Sequence, residues 1–182
     1  DLRVAPGRTY RYYRNPTFSF GQGLTLTDWN MSMVGTSPPP CLSSLHTAKA
    51  TASCEVRLQV SNVGARTGDI VIMAFYKHNS DKVPVPRRRQ DGKLMLSPLK
   101  QLFDFVRVPD VRAGSSAVAS FNVTASSLAA VDEASGDLVS EAGEFILSFE
   151  DGGGKSVDLQ ATVSGDRVVL DPFPTSSGVL YV

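Results

Sequence analysis

Apolar and polar positions alternate with a period of two along much of the chain, the pattern of strands with one face buried and one wet. Over residues 54–60, Cys54, Val56, Leu58 and Val60 fall on one side, with Glu55, Arg57 and Gln59 on the other. Over 117–123, Ala117, Ala119, Phe121 and Val123 oppose Val118, Ser120 and Asn122. Residues 24–34 alternate with a slip near Asp28, predicting a strand that carries Trp29, Met31 and Met33 together. Asp69 to Lys77 is apolar and β-branched and reads as a central strand. Further strands are predicted over 99–108, with Phe103 and Phe105 on one face, and over 157–163 and 168–170. Leu138–Val139 and 144–149 read as a hairpin joined near Ala142 and Gly143. Residues 124–131 predict a helical turn with Thr124 as N-cap. Short strands, frequent turns and almost no helix predict an all-β chain: an immunoglobulin or fibronectin type III-like β-sandwich.

Residues 8–29 break the pattern. Three arginines and three tyrosines crowd 8–14, then Pro16, Phe18, Phe20, Gly21 and Gly23 follow. Glycine and proline punctuate too often for a helix, and the aromatics are too frequent for a disordered tail. The stretch reads as an extended aromatic arm, with Arg8, Tyr10, Arg11, Tyr12, Tyr13, Phe18 and Phe20 needing a surface to lie against. The predicted layout is arm over 1–23, sandwich over 24–171 with a basic insertion at 78–98, and a tail over 172–182.

Composition narrows the function classes. The chain has 182 residues, of which 42% are apolar and 20% charged, as expected for one globular domain. Eighteen basic residues balance eighteen acidic ones, so no global field draws nucleic acid or an anionic membrane. The longest apolar run, Ile70 to Tyr76, is too short to span a bilayer. A chain opening on Asp1 without a signal peptide reads as a processed or excised piece.

Cys41 and Cys54, thirteen positions apart, read as a disulfide, with two free thiols as the alternative; a bridge would contribute about 3 kcal/mol on the chain-entropy model. Asn30-Met31-Ser32 and Asn122-Val123-Thr124 are N-glycosylation sequons. Together they suggest a secreted protein or one in a secretory-pathway compartment such as vacuole or cell wall. Arg87, Arg88 and Arg89 lie in the basic loop, which reads either as a solvated excursion or as a partner-binding site. The three arginines also suit a dibasic-specific protease.

Catalytic chemistry is thin. His46 and His78 lie in no motif and read as surface histidines, and no nucleophile elbow, P-loop or HExxH occurs. The acidic pairs Asp132-Glu133, Glu141 with Glu144, and Glu150-Asp151 sit at turns, where carboxylates face solvent rather than each other across a substrate. No catalytic residue, cofactor site or metal site is therefore assigned, and no cofactor is expected.

Three segments, in order, resemble a known family. Gly7-Arg8-Thr9-Tyr10-Arg11-Tyr12-Tyr13, with Phe18 to Leu24, resembles the GRTYRFY…P-x-x-PFG-x-GLSYT-x-F stretch of family 3 glycoside hydrolases, the β-glucosidases and β-xylosidases. Val60-Ser61-Asn62-Val63-Gly64, continuing through Gly68-Asp69 to Phe75-Tyr76, is similar to their V-x-N-T-G…GDEVVQLYV pattern. Leu99 to Val108 is like their P-x-K-x-L-x-G-F-x-R-V strand, and Glu141 to Phe145 like their EPG-x-Y. The resemblance covers about 7–150 and is most specific to the plant-type β-xylosidase branch. Departures include Thr25 to Trp29 in place of SYT-x-F, Ser19 before Phe20 where proline is usual, and Asp104 where glycine is usual.

The resemblance implies a non-catalytic C-terminal fibronectin type III-like domain. That family's nucleophile aspartate and acid/base carboxylate lie on two upstream domains, and neither maps onto this chain. The arm would be the connection to those domains, its tyrosines burying against them and its arginines pairing with their carboxylates. The expected partners are upstream catalytic domains or another protein chain. The alternative is a stand-alone extracellular interaction or adhesion module that binds a protein or an acidic glycan through its basic loop. A carbohydrate-binding platform built on Trp29 or the tyrosines is a third reading, opposed by the core position predicted for Trp29.

Overall fold

The alternating segments form strands whose apolar faces meet in one core. The computed structural model describes residues 2–49, 51–79, 98–132 and 134–174. The strands are β1 (Trp29–Met33), β2 (Leu45–His46), β3 (Cys54–Asn62), β4 (Gly68–His78), β5 (Gln101–Val111), β6 (Ser116–Val123), β7 (Ala130–Val131), β8 (Leu138–Ser140), β9 (Gly143–Glu150), β10 (Ser156–Ser164) and β11 (Val168–Asp171). They build a three-stranded sheet in the order β1-β3-β6, a five-stranded sheet in the order β2-β10-β9-β4-β5, and a small flanking sheet β11-β8-β7. This is a β-sandwich, as the period-two pattern predicts.

The core is made by the predicted inward sets. Val56, Leu58 and Val60 of β3 are fully buried, opposite Ala119, Phe121 and Val123 of β6. Ile70, Ile72, Ala74 and Tyr76 of β4 face them with Leu147 and Phe149 of β9. Phe121 and Phe149 meet across the two sheets with ring centroids 5.0 Å apart. Cys41 and Cys54 form a disulfide, with Cα atoms 5.5 Å apart, tying the turn before β2 to the start of β3.

Several local expectations are corrected. The strand predicted from Leu24 begins only at Trp29, because Thr27 turns inward to a buried hydrogen bond. The predicted hairpin between Leu138–Val139 and 144–149 does not form: β8 pairs with β7 and β11, while β9 pairs with β4 and β10. Short apolar runs specify strand but not partner. In 124–131, a single 3-10 turn covers Ser126–Leu128 with Ala125 at the N-cap position, so Thr124 stands one residue before the place expected of it, though its Oγ1 still accepts the Ser127 N–H at 3.0 Å. β5 runs on to Val111 through Pro109 and carries a bulge, since Ala74 pairs with Asp104 but Phe75 with Leu102. The extra residue, Phe103, packs on the core while Phe105 points out at 64% exposure, splitting a pair that strict alternation puts on one face.

Candidate functional site: an arm-covered sheet face

From Ile72 to Tyr76 β4 is buried on both faces, which accounts for most of its unbroken apolar run. Met73 and Phe75 point away from the core, yet Phe75 has no exposed surface. The arm covers them. Contrary to the extended reading, Thr9–Tyr12 forms one helical turn, α1, and Gly7 allows the close approach of the Tyr12 backbone. Tyr10 stacks on Phe20 at 4.5 Å between centroids, and both rings meet Phe75 edge-on at 5.7 and 6.3 Å. The Leu102 amide donates to the Tyr10 hydroxyl at 3.2 Å, Arg11 donates to Gln101 Oε1 at 2.5 Å, and the Leu99 amide donates to the Arg11 carbonyl. Gly21, with φ +80°, lies against Met73, where a Cβ would overlap the methionine side chain. Beside the arm, Lys100 pairs with Glu150 at 2.5 Å and sits 4.0 Å from the Phe75 ring centroid, a cation–π contact. Phe20, Lys100, Glu150 and Lys155 line a cleft of about 260 Å³.

The far end of the arm is fixed by Asn62. This side chain is buried and makes four hydrogen bonds. Its Oδ1 accepts from Thr27 Oγ1 (2.5 Å) and the Gly64 amide (3.1 Å), and its Nδ2 donates to the Arg66 and Val111 carbonyls (2.7 and 2.8 Å). Gly64 lies so close to Thr27 and the Asp28 amide that any Cβ would overlap them. The Asn62-Val63-Gly64 turn is therefore a socket for the arm, a role its turn chemistry alone did not disclose.

The arm is thus divided between its own sandwich and solvent. Tyr12 is buried and Tyr10 and Arg11 half-buried, which corrects the expectation that the tyrosines wait for another domain. Arg8, Tyr13, Phe18 and Phe20 remain exposed, with Phe18 at 75%, as do Leu24 and Leu26. On the sheet itself Phe105 is paired with Met73 and Val71 lies two residues from Met73 on the same face, both exposed. The β4–β5 face thus adds two exposed apolar side chains to those of the arm.

The remaining candidates lie elsewhere. Asn30 and Asn122 are both exposed, on β1 and β6. Arg87, Arg88 and Arg89 fall outside the described residues. His46 is half-buried, its Nδ1 accepting the Ala48 amide at 3.1 Å. His78, the last residue of β4, is exposed, as expected of a surface histidine, with its ring 4.8 Å from that of Phe145; the partial desolvation there holds its pKa below 6.5 against the pull of Glu141. Trp29 is buried, as its core position predicts, so it offers no stacking platform. Tyr76, donating its hydroxyl to the Ala129 carbonyl, is pushed up to about 12 by burial. Asp69 is held below the usual carboxylate range by the Asp110 amide and by Arg107. Asp132 is lowered by the Ser135 and Ala134 amides and pairs with Arg167, which also reaches Glu141. Asp137 is lowered chiefly by the Phe173 amide. Each perturbed carboxylate is tied to backbone amides, across the β4–β5 pair for Asp69 and around the β7–β8 connection and the chain after β11 for Asp132 and Asp137, a structural arrangement. Among the described residues no group of three His, Cys, Asp or Glu could hold a metal ion, and no helix is long and apolar enough to cross a membrane.

Residues 73–151, from the double-sided part of β4 to the end of β9, match the family model of the fibronectin type III-like domain. The chain carries a fibronectin type III-like domain. It is 32% identical over 177 residues to a probable exo-1,4-beta-xylosidase of Aspergillus clavatus, covering 93% of this chain and 21% of the relative. A xylan 1,4-beta-xylosidase of Xylanibacter ruminicola is 28% identical over 143 residues, covering 79% of this chain and 14% of its own. A GH3 exo-beta-xylosidase solved with a xylobiose aziridine probe superposes with a TM-score of 0.75 at 22% identity, over 97% of this chain and 23% of the other. Beta-glucosidase 3B from Thermotoga neapolitana gives 0.61 at 19% identity, over 87% and 19%. The fibronectin type III-like domain and its arm thus span about a fifth of the length of the curated relatives, and they resemble that part of family 3 glycosidases.

Proposed function

We propose that this chain is the non-catalytic structural module of a secreted family 3 glycosidase that hydrolyses β-xylosides or β-glucosides. It docks on the catalytic domains through the arm-covered face and stabilises or positions them. In this layout residues 1–23 connect, 24–171 form the sandwich and 172–182 form a tail. The observation that carries the reading is the row of exposed apolar side chains, Tyr13, Phe18, Phe20, Leu24, Leu26 and Phe105, on the arm and the sheet face beneath it. Exposed large apolar side chains in this number are what a docked partner would cover. The disulfide supports an oxidising, secretory location.

Hydroxyl-radical footprinting tests the docking. Phe18, Phe20 and Phe105 should label strongly in the isolated chain and be protected in the native gene product. Equal labelling in both sinks the proposal.

A further inference from the structure

We infer that the outer face of the β1-β3-β6 sheet carries two N-linked glycans, on Asn30 and Asn122, and that this face is turned to solvent when the arm-covered face is docked. The two sequons lie far apart in sequence, yet the fold brings both onto one surface. Asn30 pairs with Ser61 of β3 and Asn122 with Glu55, so both side chains project away from the core on the side that carries Glu55, Arg57, Gln59 and Ser61. β1 and β6 are the two edge strands of this sheet, so the asparagines mark opposite edges. Along β3 their partners are six residues apart, Ser61 to Glu55. At about 3.3 Å per residue, with two strand spacings of about 4.8 Å, the acceptors stand roughly 20 Å apart, room for two separate oligosaccharides. The face is otherwise polar, with Ser116 and Ser120 beside Gln59 and Arg57 and a single exposed large apolar side chain, Val118, between the two sites. A glycan at each edge would also block pairing with another chain, the hazard of an open sheet edge.

The chemistry is amide glycosylation. The asparagine Nδ2 attacks the anomeric carbon of a lipid pyrophosphate-linked oligosaccharide. A C–N glycosidic bond forms, the C–O bond to pyrophosphate breaks, the lipid pyrophosphate leaves with the electron pair, and the amide loses one proton. The hydroxyl two residues on is part of the acceptor sequence and must be free for the transferase to read it. Here the sites differ. Ser32 is exposed on an exposed edge. Thr124 Oγ1 is already taken, sharing hydrogen bonds with Ser126 and Ser127 at 2.8 and 2.9 Å and accepting the Ser127 amide at 3.0 Å. Asn122 must therefore be modified before the turn at 124–128 closes, whereas the Asn30 sequon stays open in the folded chain.

The inference rests on the secretory placement proposed above, so the test has two arms. Glycopeptide mass spectrometry of the native gene product should find Asn30 and Asn122 both occupied, each converted to aspartate by peptide N-glycosidase. Either asparagine unmodified in that product overturns the inference. The same chain sent through a eukaryotic secretory pathway by an added leader locates such a failure. Modification there but not in the native product means that the secretory placement is wrong, whereas none in either means that the sites are. Ser32→Ala and Thr124→Ala should each remove one glycan, and Thr124→Ser should keep its own. Folded, unglycosylated chain offered to the transferase in vitro should gain its glycan at Asn30 ahead of Asn122, and the reverse order overturns the distinction between them.

Discussion

Asn62 holds four backbone and side-chain groups together at one buried point, where β3 ends, β5 ends and the arm arrives. Each group left without its partner in the interior costs about 1–3 kcal/mol. Asn62→Ala should therefore lower stability by about 3 kcal/mol or more, read as a shift of the urea midpoint at constant m-value. Asn62→Asp is a sharper probe, because a carboxylate cannot donate to the Arg66 and Val111 carbonyls. From sequence the residue reads as part of a turn, since asparagine before glycine signals a turn wherever it occurs; only the fold places Thr27 and Val111 around its amide. Titration also belongs at this scale. His78 has a folded pKa below 6.5, so the stability it contributes is full above pH 6.5 and is lost as pH falls through the folded value. Asp69, Asp132 and Asp137, lowered from 3.8, act with the same sign below that pH. Stability should fall in two acid stages, the upper one small because His78 is exposed and solvent-screened, and His78→Gln should remove it. An unchanged denaturation midpoint profile between pH 7 and 5 in that variant would show that His78 is not responsible.

At the scale of elements, the arm behaves as a covering layer of the sandwich. The Tyr10–Phe20 stack on Phe75 resembles core packing more than a tether. A double-mutant cycle between Tyr10→Ala and Phe20→Ala should give a coupling of about 1 kcal/mol. Deleting residues 1–23 uncovers Met73 and Phe75 and should give an aggregation-prone chain, measured by light scattering. A deletion variant that stays monomeric with unchanged stability means that the arm does not stabilise the sheet. Two features of these elements were legible in sequence: the inward sets of β3 and β6, and the apolar run of β4. The bulge at Phe103 was not, because a bulge depends on how a strand meets its partner, and strand β5 alternates well enough to hide it.

At the scale of the whole molecule, the two outer faces differ in chemistry. One is polar and bears both sequon asparagines; the other carries exposed apolar side chains, Val71 and Phe105, on β4–β5 beside the arm, and turns polar on β10 at Asp158, Gln160 and Thr162. This asymmetry favours a module seated on a partner by one side. Such a module should not turn over substrate: the isolated chain, assayed on aryl β-xylosides and β-glucosides, is expected to show no hydrolysis. Genuine turnover that disappears when one of its own carboxylates is replaced would overturn the non-catalytic reading. By itself the sequence determined the sandwich, since period two fixes which side chains go inward whatever the strand order. It also marked the arm as a stretch that would meet a surface, because the rings of Tyr10, Tyr12, Tyr13, Phe18 and Phe20 are disfavoured if all are left in water. Only the tertiary structure decided that part of that surface is the chain's own β4, that β8 leaves β9 for β11, and that Asn62 anchors Thr27. Those outcomes depend on contacts between residues distant in sequence, which local periodicity does not encode.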